Sequence, residues 1–335
     1  MTKPRILLVA TGGTIASAED GNGLTPQLTG EQLAGYVPQA AELADIDIVQ
    51  PMNIDSTNMR PADWQAIGDA ILAQYEDYDG FVVLHGTDTM AYTAAALSYL
   101  IQDSPRPIVL TGSQQPMGSP FTDARINLYQ SVLYATDPDS HDVAVVFGGK
   151  VVAGTRARKQ RTMSFNAFTS VNYPELALIR NDRIIRTAPA GSGDARAASE
   201  PRVYHDLDER VFVLKLTPEV NPSVFELLRR DYDAIILETF GVGGIPDTLH
   251  DAIFGWVDSG RTLVVTTQVP EEGLDLGVYE VGRAYAEHPG ILKGADMTCE
   301  TLVAKTMWVL GQTREPERLR ELFYRPVNCD RLPEA

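Results

Sequence analysis

Positive charge is scarce in this 335-residue chain: 28 Lys and Arg stand against 45 Asp and Glu, for a formal net charge of −17. A phosphate backbone needs a basic face, so the composition excludes nucleic acid as the first choice of partner. Long apolar runs are missing too. No stretch of about 18 or more apolar residues is present, and Met1 to Arg5 leads straight into a short apolar run rather than the core of a signal peptide. A cytoplasmic protein with no membrane partner is expected. Cysteine is limited to Cys299 and Cys329, without metal-ligand spacing, which suggests two thiols and neither a disulfide nor zinc. His85, His141, His205, His250 and His288 are scattered and suggest no metal cluster. What remains is ordinary globular usage, 44% hydrophobic and 22% charged, in a chain long enough for two domains.

Short apolar runs alternate with longer amphipathic segments. Ile6 to Ala10, Ile46 to Val49, Phe81 to Leu84, Ile108 to Leu110 and Val143 to Phe147 read as buried strands. Helices are expected over Pro61 to Tyr75, Ala91 to Ile101 and Thr122 to Tyr134, the first opening on Pro and Asp and placing Trp64, Ile67, Ile71 and Leu72 on one face. This alternation predicts an α/β fold: a parallel-sheet N-terminal domain, residues 1–186, with helices on both faces. Residues 187–210, rich in small residues, Gly and Pro, read as a linker. A smaller α/β C-terminal domain, residues 211–335, follows. Its expected strands are Val211 to Leu216, Ala234 to Leu237 and Thr262 to Thr266, with helices near Pro222 to Arg229, Asp247 to Val257 and Cys299 to Leu310.

Ligands of open parallel sheets bind beyond the carboxyl ends of the strands. Three segments at those ends carry polar chemistry: Thr11-Gly12-Gly13-Thr14, Asp55-Ser56-Thr57 and His85-Gly86-Thr87-Asp88-Thr89. Gly12-Gly13 permits tight turning and close approach of a ligand, but it lacks the spacing of a dinucleotide loop and the Gly-Lys-Ser/Thr ending of a phosphate loop. Asp88 or Thr89 suits a helix N-cap, worth about 1 kcal/mol, and that role is compatible with a catalytic one. His85 abuts an apolar strand and reads as a core histidine more than as a base. A threonine hydroxyl is a poor nucleophile until a base takes its proton, so a threonine site needs a lysine, a tyrosine or a carboxylate-held water. Lys159, in the run beyond the fifth strand, falls on the side of the sheet that holds Thr87.

Leu8 to Ala16 together with Gly80 to Met90 resembles the two active-site signatures of the bacterial-type L-asparaginases, the asparaginase/glutaminase family. The resemblance continues through Asp55 to Thr57, Thr111 to Gln114, Arg156 to Lys159, Phe240 to Gly243 and Gly294 to Thr298, and is stronger to the cytoplasmic type I branch. It implies hydrolysis of L-asparagine to L-aspartate and ammonia, with neither cofactor nor metal, by a homodimer or homotetramer. It also implies Thr14 as primary nucleophile; Thr87, Lys159 and Asp88 as a second catalytic constellation; Ser56 and Thr57 on the substrate α-carboxylate; and Asp88, with Asp55 beside it, on the α-ammonium. The family carries a tyrosine in a lid after the first motif, a position that aligns with Leu24 in this chain; either Thr25 or a water then supplies the hydroxyl, or the tyrosine position aligns one residue away. The segment Ala18 to Gly23 reads as that lid. The secreted branch brings in a carboxylate from a neighbouring subunit, for which Glu280, beside Tyr279, is the nearest match. Three other readings compete: a non-catalytic asparagine sensor, the amide-hydrolysing subunit of a tRNA-dependent amidotransferase, and a flavodoxin-like nucleotide binder.

Overall fold

A computed structural model describes residues 3–332 except 14, 16, 20–23, 27–31, 33, 34, 36, 188–199, 278 and 279. The chain divides into two compact units, residues 1–205 with Val327–Cys329, and residues 206–326 with 330–335. The central part of the expected linker, residues 188–199, lies outside the described residues. No helix among the described residues is long and apolar enough to cross a membrane.

In the first unit β1 (Arg5–Ala10), β2 (Asp45–Val49), β3 (Gly80–Leu84), β4 (Ile108–Thr111) and β5 (Val143–Phe147) are parallel neighbours in the order β2-β1-β3-β4-β5. Both faces of the central strands are buried, whereas β2, at the edge of the sheet, is only half-buried. Ile6, Leu8, Val82, Leu84, Val109 and Val146 join Leu128 and Val132 of helix α3 (Ala124–Ala135) in one core. The alternate residues Leu7, Val9, Phe81, Val83 and Ile108 are equally buried, and α1 (Pro61–Leu72) and α2 (Met90–Leu100) contact the sheet as well.

The helix bounds depart from the sequence-based expectation for local reasons. α1 starts with Pro61 at its first turn, and Asp63 accepts from the Arg60 N–H at 2.8 Å. It stops at Leu72 rather than Tyr75, whose ring stacks on Phe81 at 5.5 Å and whose hydroxyl bonds Ser104 at 2.6 Å. α3 begins two residues later than expected. Thr122 Oγ1 accepts from the Ala124 N–H at 3.0 Å, and Asp123 turns its carboxylate towards a neighbouring loop.

The parallel strands do not end the sheet. β6 (Lys150–Ala153), β9 (Ala177–Arg180) and β10 (Arg183–Arg186) add to β5 in antiparallel fashion, giving eight strands in the order β10-β9-β6-β5-β4-β3-β1-β2. Between β6 and β9 in the chain lies a separate antiparallel ribbon of β7 (Ala157–Lys159) and β8 (Phe168–Ser170). Val143 to Phe147 is therefore the last parallel strand but not the last strand of this unit.

The second unit is a four-stranded parallel sheet, β11 (Val211–Lys215), β12 (Ala234–Thr239), β13 (Thr262–Thr267) and β14 (Ile291–Lys293), in that order. Its helices include α4 (Ser223–Leu228), α5 (His250–Asp258), α6 (Glu280–Glu287), α7 (Cys299–Gln312) and α8 (Pro316–Tyr324). Of these elements, β14, α6 and α8 go beyond what the sequence pattern predicts. Phe225, Leu237, Trp256 and Leu263 centre the core, and the Trp256 indole N–H donates to Thr262 O at 2.9 Å.

Candidate active site

Strand order reverses where β1 is flanked by β2 on one side and β3 on the other, and the loops leaving β1 and β3 meet there. Thr11 N–H and Thr11 Oγ1 both donate to Leu84 O, at 3.0 and 2.9 Å. Gly13 N–H donates to Ile54 O and Ile54 N–H to Thr11 O, so the β1 turn is tied to the β2 loop as well. Gly13 has φ +80°, and a Cβ there would fall 2.3 Å from the Gly86 backbone. A Cβ on Gly86 would in turn fall 2.4 Å from Ser56 Oγ. The three motifs are packed too closely for any residue but glycine at these two positions.

Thr14 lies outside the described residues, as do residues 20–23 of the expected lid segment Ala18 to Gly23, and Tyr279. Leu24 opens a short strand, Leu24–Pro26, that pairs antiparallel with Ser17–Glu19, so that Ala18 and Glu19 of the expected lid segment lie in a strand. Glu280 is the first residue of α6.

Thr87, Asp88 and Lys159 come together. Lys159, at the end of β7, donates from Nζ to Thr87 Oγ1 at 2.7 Å and to Asp88 Oδ1 at 2.5 Å. Thr87 is buried, and its hydroxyl donates onward to Gln114 Oε1 at 3.3 Å. A cation beside the threonine oxygen lowers the cost of negative charge there, and the partial burial of Lys159, 17% exposed, weakens solvent screening of that field. The expected capping of α2 by Asp88 or Thr89 is not what these side chains do. Thr89 stands at the N-cap position without a capping bond and donates from Oγ1 to Ser56 O at 2.8 Å, while Asp88 is turned to Lys159.

Asp55 has a structural task. Its Oδ1 accepts from the Thr57 N–H at 2.9 Å and from Thr57 Oγ1 at 3.0 Å, capping the single turn Ser56–Asn58. Ser56 is buried at the centre of the three loops, against Gly86.

His85 is a satisfied core residue. It is fully buried, with Nδ1 2.7 Å from Gly86 O and Nε2 2.9 Å from Thr93 Oγ1. A carbonyl can only accept, so Nδ1 carries the proton and Nε2 accepts from the threonine. Burial pushes the imidazole down to about 4, against an upward pull from the Gly86 carbonyl. It stays neutral near pH 7 with both nitrogens engaged.

Sequence reasoning missed the support behind Gln114. Buried Asp123 accepts from the N–H groups of Gln114 and Gln115 at 3.0 and 3.1 Å. Asn127, one turn along α3, donates to Gly112 O and Asp123 Oδ2 and accepts from the Gly148 N–H. The signal available was position: both residues follow the Thr111 to Gln114 segment at the start of a helix. Among the described residues no group of three or more His, Cys, Asp or Glu is suited to hold a metal ion.

The family model described as "Asparaginase, N-terminal" matches residues 5–190, and that described as "Glutaminase/Asparaginase C-terminal domain" matches residues 210–323. The chain is 38% identical to an L-asparaginase of Thermococcus kodakarensis over 96% of its own length and 98% of the relative's. A solved structure of the thermostable L-asparaginase from that organism matches with a TM-score of 0.89 at 35% identity, covering 98% of this chain and 100% of that one. L-asparaginase 1 of Escherichia coli is 34% identical over the full length of both chains. One component of the glutamyl-tRNA(Gln) amidotransferase of Pyrococcus horikoshii is also 34% identical, over 96% of this chain and 75% of that component. With both family models matched in order and relatives aligned from end to end, the chain belongs to the asparaginase family.

Proposed function

We propose that this protein is an L-asparaginase, hydrolysing L-asparagine to L-aspartate and ammonia through a threonyl ester. The Lys159–Thr87–Asp88 cluster carries the reading, because it sets an activated hydroxyl beside a carboxylate at the switch point of the sheet. In the reaction Thr14 Oγ attacks the side-chain amide carbon and its proton leaves on the departing ammonia. Water then attacks the ester, releasing aspartate and returning a proton to Thr14. Thr87 and Lys159 serve the proton transfers, Lys159 by stabilising negative charge on the Thr87 oxygen. Ser56 and Thr57 hold the α-carboxylate, and Asp88, with Asp55 beside it, receives the α-ammonium. This chemistry needs neither metal nor organic cofactor.

A homodimer or homotetramer in the cytoplasm completes the reading. Two cysteines that remain thiols suit a reducing compartment. Ammonia release from asparagine, compared with glutamine and buffer, tests the activity. Thr14→Ala and Thr87→Ala should each lose about 100-fold or more in kcat; wild-type turnover by either variant overturns the role given to that residue. Tight asparagine binding without ammonia release would instead mark a sensor, and turnover that requires aminoacylated tRNA would mark a component of an amidotransferase.

A further inference from the structure

The segment Val327–Cys329 belongs to the first unit although it lies at the far end of the chain. Thr155 Oγ1 donates to Asn328 O and Arg156 Nε donates to Cys329 O, each at 2.5 Å. Asn328 Nδ2 donates to Ser98 Oγ on α2 at 2.9 Å and to Val143 O at the start of β5 at 2.8 Å. Thr155 and Arg156 are fully buried. Asn328 and Cys329 have φ of 45° and 62°, a left-handed pair in which a cysteine is an unusual occupant. Two consecutive carbonyls are thereby aimed at two consecutive side chains.

Those side chains immediately precede β7. The Arg156 N–H donates to Ala153 O at 2.8 Å and Arg156 O accepts from the Val171 N–H at 3.0 Å, closing the start of the β7–β8 ribbon whose other end is Lys159 paired with Phe168. An extended strand advances about 3.3 Å per residue, so fixing Arg156 fixes the origin from which Lys159 reaches Thr87. The Arg156 guanidinium also lies 5.6 Å from the Tyr173 ring centroid. Burial and a hydrogen bond with Cys329 push the Tyr173 phenol up to about 12, which keeps it neutral beside the segment.

We propose that Val327–Cys329 is a strap that positions Lys159 on Thr87, with Thr155 and Arg156 as positioning residues that touch no substrate. The proposal rests on the function given above. Misplacement of a catalytic group by about 1 Å can cost up to about 100-fold in rate, so loosening one bond of the strap should lower kcat about tenfold and leave KM within about twofold.

Thr155→Val removes the hydroxyl donor at nearly constant volume, Thr155→Ser keeps it, and Asn328→Gly keeps the left-handed backbone while deleting the Nδ2 donor. Thr155→Val and Asn328→Gly should show the kcat loss, and Thr155→Ser should restore it. Wild-type kcat in the first two, or a Thr155→Ser enzyme as slow as Thr155→Val, overturns the strap. If the unaltered protein releases no ammonia from asparagine, the proposed function fails instead. The strap is then judged by acylation of lysines with acetic anhydride. Thr155→Val should raise the Lys159 rate several-fold relative to exposed Lys215, and an unchanged ratio overturns it.

Discussion

Lys159 and Thr87 lie 72 residues apart in sequence and 2.7 Å apart in space, with Asp88 holding the same ammonium at 2.5 Å. The lysine comes from a two-stranded ribbon and the threonine from the loop after a parallel strand, so the pair depends on the placement of both elements. Lys159→Met keeps much of the aliphatic stem and deletes the charge. Its kcat for asparagine should fall by about 100-fold or more, with a melting temperature close to wild type because Asp88, the charge left without its partner, is half exposed to water. A variant that turns over at the wild-type rate would remove Lys159 from the mechanism.

Ser56 and Gly86 make a second pair, one supplying a hydroxyl and the other the space beside it. Ser56→Ala should raise KM, since a hydrogen bond to a charged group contributes roughly 1.5–3 kcal/mol, or about 10- to 150-fold. Gly86→Ala should be worse, because its methyl group would sit 2.4 Å from Ser56 Oγ and push the two loops apart. Steady-state kinetics on both variants checks this; a Gly86→Ala enzyme with unaltered constants would show that the loops can separate without consequence.

His85 links stability to acid. Its pKa is about 4 in the folded chain, below the ordinary 6.5, so below pH 6.5 the unfolded chain binds a proton that the folded one does not. The stabilisation is complete above pH 6.5 and is lost as pH falls towards 4, by roughly 3 kcal/mol over that window. His85→Gln should be less stable at pH 7 yet flatter between pH 6.5 and 4. Denaturant midpoints measured across that range decide it, and parallel curves for the two proteins would place the acid sensitivity elsewhere.

Much of this site was legible because the chemistry sits directly after buried strands. Thr87 and Asp88 follow β3, whose five apolar or small residues are all buried, and Lys159 lies in the segment beyond β5, on the side of the sheet that holds Thr87. The antiparallel extension was not legible. β9 and β10 expose Arg180 and Arg183 and are four residues long, so they present neither a continuous apolar run nor a clean alternation of useful length. Asp123 and Asn127 carry no distinguishing signal, since a buried carboxylate that organises a loop has the same composition as a helix cap. The return of Asn328 to Thr155 spans 173 residues and has no local pattern at all.

In the second unit Lys305 and Asp330 form an ion pair at 2.5 Å with both side chains fully buried, and Lys305 also donates to Arg325 O at 2.9 Å. Burial pulls the lysine below its ordinary pKa while Asp330 pushes it back up, so the pair is held by mutual compensation. Removing one partner leaves a charge in a site from which water is excluded. Lys305→Met and Asp330→Leu should therefore each cost roughly 3–5 kcal/mol, whereas the double variant should recover much of the loss because two apolar side chains need no compensation. Unfolding in urea, read as a double-mutant cycle, measures the coupling. Single losses below about 1 kcal/mol would mean that the remaining charge finds another partner or protonates at little cost, and additive losses would mean that Lys305 and Asp330 act independently despite their closeness.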